Sequence, residues 1–168
     1  MQKRSNRLAL RVLSTAAFLA MVSSCTTAAF ADTYYMENGS ISITAREGSN
    51  YITQGEIADN KKDEGETVIT NHNSSTASKN TVTIKTEGDC TANVTLDNVN
   101  IDASGTDKAA IYTEGKVTLE LDGNNTLTGG TNHAALEKYS SKNTDYTLTL
   151  QDKTTDETNG GGVARPAA

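Results

Sequence analysis

The chain has 168 residues, of which 21% are charged, and it contains no Trp and a single Pro. All 21 acidic residues lie at or after Asp32, whereas four of the 15 Lys and Arg residues precede it, so 11 basic against 21 acidic residues give −10 from Asp32 onward. This acidity argues against a nucleic-acid partner, because the phosphate backbone is bound by basic surfaces.

The first 31 residues have the pattern of a secretory signal peptide. Four basic residues between Lys3 and Arg11 precede the apolar run Val12–Val22, and Ala29-Phe30-Ala31 forms an A-x-A cleavage site. The sequence therefore predicts export, cleavage after Ala31, and a secreted or cell-surface location. No later stretch approaches the roughly 20 apolar residues of a transmembrane helix.

A second interpretation of the same segment stays open. Val22-Ser23-Ser24-Cys25 is a permissive match to a lipoprotein box, in which lipidation of Cys25 would hold the protein on a membrane. Cleavage after Ala31 is the favoured alternative. It leaves Cys90 as the only cysteine of the exported chain, so no intramolecular disulfide is expected.

The chain after the signal is predicted to be all-β. Short runs alternate β-branched or aliphatic residues with polar ones, and no window after the signal has the apolar spacing of an amphipathic helix over more than two turns. The clearest runs are Ile41–Ile43, Val82–Ile84, Val94–Leu96, Val99–Ile101, Val117–Leu121 and Thr147–Leu150.

These strands repeat along the chain. Ile84–Gly88 resembles Ile111–Gly115 at a spacing of 27 residues, and Leu96-Asp97 resembles Leu121-Asp122 at a spacing of 25. A period of this length with three short strands indicates a parallel β-helix, in which each coil buries its apolar face against its neighbours. We expect a right-handed solenoid of about four coils over residues 63–153.

The remaining segments are assigned by their position. Residues 32–62 are predicted to form an N-terminal β cap and linker, and the polar, glycine-rich residues 154–168 a disordered tail. Alternation places Val94, Leu96, Val99 and Ile101 inside. It does not decide which residues of the strand around Ile111 point inward. Asn98 and Asn124 follow strand ends, where the favoured role of their amides is hydrogen bonding between coils.

Residues 38–153 resemble the carbohydrate-binding-type parallel β-helix modules of surface proteins from gut Firmicutes. The resemblance rests on Asn93–Leu96, Val99–Ile101, Ala109–Ile111, His133–Glu137 and, most specifically, the Leu-Asp-Gly-x-Asn-Thr-Leu segment at Leu121–Leu127. Relatives of this type continue with further rungs after the equivalent of Leu148–Asp152. The resemblance therefore implies a truncated member of that group.

The resemblance further implies adhesion or binding of an extracellular polysaccharide or host glycan. Tyr112, Tyr139, Tyr146 and Asn100 are the candidate sugar-binding residues near the repeats. Calcium is bound in some relatives, and Asp97, Asp122 and Asp152 follow strands at what look like equivalent turns, so they are the candidate ligands. The alternative for these aspartates is a row of solvated turns.

Two other functions remain as alternatives. Polysaccharide lyases and hydrolases also use parallel β-helices, but they require paired carboxylates or a basic residue beside bound calcium. Lys85, Lys116 and Lys138 lie near strand ends, and His72 and His133 lack metal-ligand spacing or a neighbouring nucleophile. We therefore expect no enzyme. The third hypothesis is a structural stalk segment of a larger surface protein.

Overall fold

The computed structural model describes residues 31–141 and 146–152. This part of the chain is all-β and forms a parallel β-solenoid of about three turns, which confirms the predicted fold class. Cys25, the signal segment before Ala31 and the tail at 154–168 lie outside the described residues. No helix in the described ranges is long and apolar enough to cross a membrane.

Thirteen strands and one short 3-10 turn make up the described fold. In chain order they are β1 (Asp32–Tyr35), the turn Met36–Asn38, β2 (Ile41–Arg46), β3 (Ser49–Gln54), β4 (Ala58–Asp63), β5 (Thr67–Thr70), β6 (Val82–Thr86), β7 (Thr91–Asp97), β8 (Asn100–Asp102), β9 (Ile111–Glu114), β10 (Lys116–Asp122), β11 (Thr126–Thr128), β12 (Leu136–Tyr139) and β13 (Leu148–Gln151).

The strands form three sheets that run along the solenoid. Sheet A has the order β1-β5-β7-β10-β13, sheet B the order β12-β9-β6-β2-β3-β4, and sheet C pairs β11 with β8. The chain passes from sheet A through sheet C to sheet B in each turn, as in β7-β8-β9 and β10-β11-β12. A third turn runs from β5 to β6, and there the isolated bridge of Ser78 to Ile101 takes the place of a sheet C strand. β1 and β2 form a partial coil before these three turns, and β13 begins another after them.

The core consists of inward rows of aliphatic residues stacked from coil to coil. Val94, Leu119 and Leu96 are 1% exposed or less, and β10 pairs with β7 so that Leu119 lies opposite Val94 and Leu121 opposite Leu96. This is the predicted 25-residue period. Burying such side chains contributes roughly 1.5–3 kcal/mol each.

The register of sheet B differs from the 27-residue repeat seen in the sequence. Val82 lies opposite Ile111 and Ile84 opposite Thr113, a spacing of 29 residues. Ile111 is fully buried, so its neighbour Tyr112 points outward. The two segments resemble each other in sequence, but the chain from β6 to β9 is long enough to shift their alignment by two residues. The same face stays inside, because strand side chains alternate with a period of two.

The N-terminal end of the stack is closed by the antiparallel strands β3 and β4. Ile52 of β3 is fully buried and Ala58 of β4 is 3% exposed. Lys61 of β4 reaches across to β1, where its amine lies 2.7 Å from the Asp32 carboxylate. The predicted cap is therefore a hairpin, whereas β1 and β2 themselves pair in parallel with the stack.

Asparagine side chains join successive coils at the turns. The Asn124 N–H donates to Asn98 Oδ1 at 3.0 Å, which supports the structural role favoured for these two residues. Asn125 is buried, and its amide accepts from Val99 N–H and donates to the carbonyls of Leu96 and Asp122. These contacts satisfy backbone groups that the tight turns would otherwise leave without a partner.

Candidate functional site

The outer face of sheet B, which we call the tyrosine face, presents two outward rows of side chains. They follow from the strand pairing and from the alternation of buried and exposed positions. The first row is Thr53, Ser42, Thr83, Tyr112 and Glu137, and the second is Lys62, Tyr51, Thr44, Lys85, Glu114 and Tyr139.

Three of the predicted sugar-binding residues meet at one end of this face. Tyr112 lies on β9 and Tyr139 on the neighbouring strand β12, where they face Glu137 and Glu114 respectively. The rings of Tyr139 and Tyr146 are 6.4 Å apart with an interplanar angle of 45°. Tyr139 is 47% exposed, so its ring is accessible to a ligand.

The surroundings of Tyr112 favour the neutral form of its hydroxyl. Burial raises the pKa of Tyr112, and the neighbouring Glu114 carboxylate raises it further. A protonated phenol both donates and accepts hydrogen bonds, as the hydroxyl groups of a sugar do. Tyr112 therefore offers a ring and a two-way hydrogen-bonding group at neutral pH.

Tyr51 is a further aromatic residue of the face that sequence reasoning missed. It lies in the same row as Tyr139, four strands away, which corresponds to roughly 19 Å at about 4.8 Å per strand. The Arg46 guanidinium stands 4.1 Å from its ring centroid, and its hydroxyl donates to Glu47 at 3.1 Å. The alternation of Ser49–Gln54 was a usable signal, but only pairing with β2 places Tyr51 on sheet B.

The two lysines in the second row of the tyrosine face each form an ion pair with a glutamate. Lys85 Nζ lies 3.1 Å from Glu114 Oε2, and the hydrogen bond to Glu114 raises the pKa of Lys85. Lys62 pairs in the same way with Glu64 at 2.9 Å. The middle of the face thus combines hydroxyl groups with a neutralised ion pair, an arrangement that favours a polar ligand over a highly charged one.

Asn100, the fourth predicted sugar-binding residue, lies away from the tyrosine face. It belongs to β8 in sheet C, and its amide donates to the Ser74 carbonyl at 2.7 Å. Its backbone N–H and carbonyl are both bound by the Asn71 side chain. The structure therefore uses Asn100 to hold neighbouring coils together.

The three aspartates of the predicted calcium site do not form one row. Asp97 and Asp122 lie opposite each other on β7 and β10. The pairing of Gln151 with Glu120 places the next residue, Asp152, opposite Leu121 instead. Asp97 also accepts a hydrogen bond from Asn98 at 2.6 Å. Within the described ranges, no three acidic, histidine or cysteine side chains are grouped as metal ligands.

Lys116 and the two histidines considered for catalysis contact neighbouring side chains. Lys116 lies 3.2 Å from Asp89. His133 lies between Glu137, at 3.0 Å from Nδ1, and Asp107, at 3.4 Å from Nε2. His72 is stacked on another aromatic ring at 3.6 Å. Lys138 occupies an exposed position on β12.

A recess lies on the outer face of sheet A, apart from the tyrosine face. Its volume is about 270 Å³, and its lining includes Glu66, Asn93, Thr118, Glu120 and Gln151. Thr95, directly opposite Glu120 in the register, donates to Glu66 at 2.6 Å. Two carboxylates therefore share this recess, a feature that sequence reasoning did not identify because Glu66 and Glu120 belong to different coils.

Comparison with protein families, curated proteins and solved structures finds no match to this chain. The fold and the two faces described above are therefore the basis for assigning a function.

Proposed function

We propose that this protein is an exported, non-catalytic module that binds an extracellular polysaccharide or host glycan through the tyrosine face. The observation that carries the proposal is the placement of Tyr51, Tyr112 and Tyr139 on the outer face of a single sheet. The N-terminal signal pattern up to Ala31 supports export to the place where such polymers occur.

The geometry favours a polymer over a small ligand. The outer face of a sheet is open, and the tyrosines are spread over roughly 19 Å across the strands at about 4.8 Å per strand. Each ring supplies a large, rigid apolar area with a hydroxyl at its edge. A polysaccharide lying along the solenoid axis would contact these rings in sequence and meet the hydroxyl groups of Ser42, Thr44 and Thr83 between them.

The experiment is a binding assay of the purified, folded protein on a glycan array, followed by titration of the best polymer. We expect Tyr112→Ala and Tyr139→Ala each to weaken binding by up to about tenfold, since a well-placed aromatic contact is worth roughly 0.5–1.5 kcal/mol. Tyr35→Ala is the matched control, because Tyr35 lies in sheet A and stacks on His72. Equal losses in all three variants would contradict the proposal.

The alternative of a structural stalk is separated by the same array. A protein with a cooperative melting transition that binds no glycan would support the stalk and overturn the binding proposal. Binding that survives replacement of Tyr51, Tyr112 and Tyr139 together would instead show that the ligand binds another surface.

A polysaccharide-cleaving enzyme is the second candidate function, and the recess on sheet A is what favours it. Glycosidases use two carboxylates on either side of the bond that breaks. Glu66 and Glu120 share the recess, so Glu66→Gln and Glu120→Gln would abolish any hydrolysis that depends on them. The measurement is release of reducing ends from polysaccharides, and failure of the wild-type protein to release them would exclude this candidate.

A further inference from the structure

The two ends of the described stack are closed differently. At the N-terminal end, β3 and β4 cover the core, and the edge strand β4 carries Lys61 and Lys62. At the C-terminal end, β13 is the edge strand of sheet A. Exposed strand edges are templates for pairing with another chain unless charges or a covering segment protect them.

The row of core residues that ends on β13 is open to solvent. Val94 and Leu119 are 1% and 0% exposed, but Leu150, which continues the same inward row, is 49% exposed. Leu148 and Leu121 at the same end are only partly buried against the core. β13 therefore packs against a neighbouring coil along one edge, whereas its other edge and Leu150 are exposed to solvent.

Charge distinguishes this edge from the others of sheets A and B. The edge strand β1 begins with Asp32, β4 carries two lysines, and β12 carries Lys138 in an inward row, since Lys138 lies opposite the buried Thr113. An inward-pointing charge protects an edge from pairing. β13 reads Leu-Thr-Leu-Gln and has no charged residue.

We propose that a second copy of this chain docks on β13, with the two β13 strands paired antiparallel about a twofold axis. Such pairing extends sheet A from five strands to ten and covers Leu150 in both copies. A second copy is the occupant because a neutral edge tolerates being placed opposite itself, whereas like charges would repel. The capped, lysine-bearing N-terminal end excludes head-to-tail stacking, so the assembly closes as a dimer.

The hydrogen-bond pattern of β13 sets the register of the pairing. Val117 N–H donates to the Thr147 carbonyl at 2.8 Å, so the backbone groups of Thr147 and Thr149 face β10. The N–H and carbonyl groups of the alternate residues, Leu148 and Leu150, then point to the open edge. Twofold symmetry places Leu148 opposite the partner's Leu150 and brings the two Thr149 residues together as a non-hydrogen-bonded pair, with Cα atoms about 4.5 Å apart.

This register gives a cross-linking test. Thr149 is exposed on the outer face, and a Cα separation near 4.5 Å lies within the range of a disulfide. We expect Thr149→Cys, in a Cys90→Ser background, to form a covalent dimer on mild oxidation. Asp59→Cys, an exposed position on β4, the edge strand of sheet B at the N-terminal end, is the matched control and should remain monomeric.

Sedimentation of the unmodified protein provides the second measurement. We expect a concentration-dependent dimer that Leu150→Lys abolishes and that Ile57→Lys leaves unchanged, since Ile57 is an exposed apolar residue of the β3–β4 turn. Far-UV circular dichroism checks that both variants are folded. A wild-type protein that stays monomeric at all soluble concentrations, or equal cross-linking at positions 149 and 59, would overturn the second copy as the occupant.

Discussion

Replacing Asn125 by Ala should destabilise the solenoid more than any other single asparagine substitution at these turns. The side chain is 8% exposed and makes three hydrogen bonds, two to the preceding coil and one within its own turn. Oδ1 accepts from Val99 N–H at 2.8 Å, and Nδ2 donates to the carbonyls of Asp122 at 2.9 Å and Leu96 at 3.1 Å. Alanine removes all three bonds and supplies no replacement.

The magnitude follows from what is left behind. A typical hydrogen bond contributes about 1 kcal/mol net, and a buried donor or acceptor left without a partner costs about 1–3 kcal/mol. Val99 is fully buried and Leu96 is 1% exposed, so water reaches their backbone groups poorly. We expect a loss of about 3 kcal/mol in the free energy of unfolding. At about 4 °C per kcal/mol for a domain of this size, the melting temperature should fall by roughly 12 °C.

The assay is thermal and urea unfolding followed by circular dichroism. Asn124→Ala is the matched control, because Asn124 is exposed and contributes its backbone N–H, which alanine retains, to the coil contact. We expect less than about 0.5 kcal/mol for that control, as for other surface substitutions. Equal losses for the two variants would refute the reasoning, since they would show that the buried amide stabilises no more than an exposed one.

Further predictions concern the turns, the acid stability and the aspartates. Gly123→Ala should lower the free energy of unfolding by at least about 1–2 kcal/mol, because Gly123 has φ of +62° and an added Cβ would approach the Asn98 amide to 2.5 Å. Gly105→Ala is the control, and it should be tolerated in the same melting assay because an added Cβ there meets no atom within 4 Å. The hydrogen bond from Lys79 lowers the pKa of Asp102, so this carboxylate stabilises the fold above the ordinary carboxyl pKa and the contribution is lost as the pH falls below it. Asp102→Asn should therefore flatten the loss of unfolding free energy between pH 7 and pH 3, and an unchanged pH profile would contradict this. If the aspartates at the strand ends bind calcium, excess calcium should raise the melting temperature and chelator should lower it, whereas identical melting curves would exclude the site.

The strand content was predictable from local alternation. Segments such as Val117–Leu121 place apolar residues on one side and polar residues on the other, a pattern that depends only on neighbours in the chain. The 25-residue period of Leu96-Asp97 and Leu121-Asp122 also predicted the stacking of β7 on β10, because the loops between these strands keep one coil length.

The candidate site was predictable only in part. Tyr112, Tyr139 and Tyr146 were identified as aromatic residues near the repeats, and the structure places them together at one end of sheet B. Tyr51 was not identified, because its place on the same sheet depends on a hairpin that pairs β3 with β2. Asn100 was also predicted to bind sugar, but the structure places it in sheet C, where its amide donates to the Ser74 carbonyl.

What the sequence by itself determined is the all-β chain with its periodic strands, since strand alternation and repeat length can be read along the chain. The tertiary structure decided which strands share a sheet and in what register, because loops of unequal length separate them and sequence similarity does not measure loop path. That is why Ile84 lies opposite Thr113 rather than Ile111, why Asp152 leaves the row of Asp97 and Asp122, and why Glu66 and Glu120 share a recess.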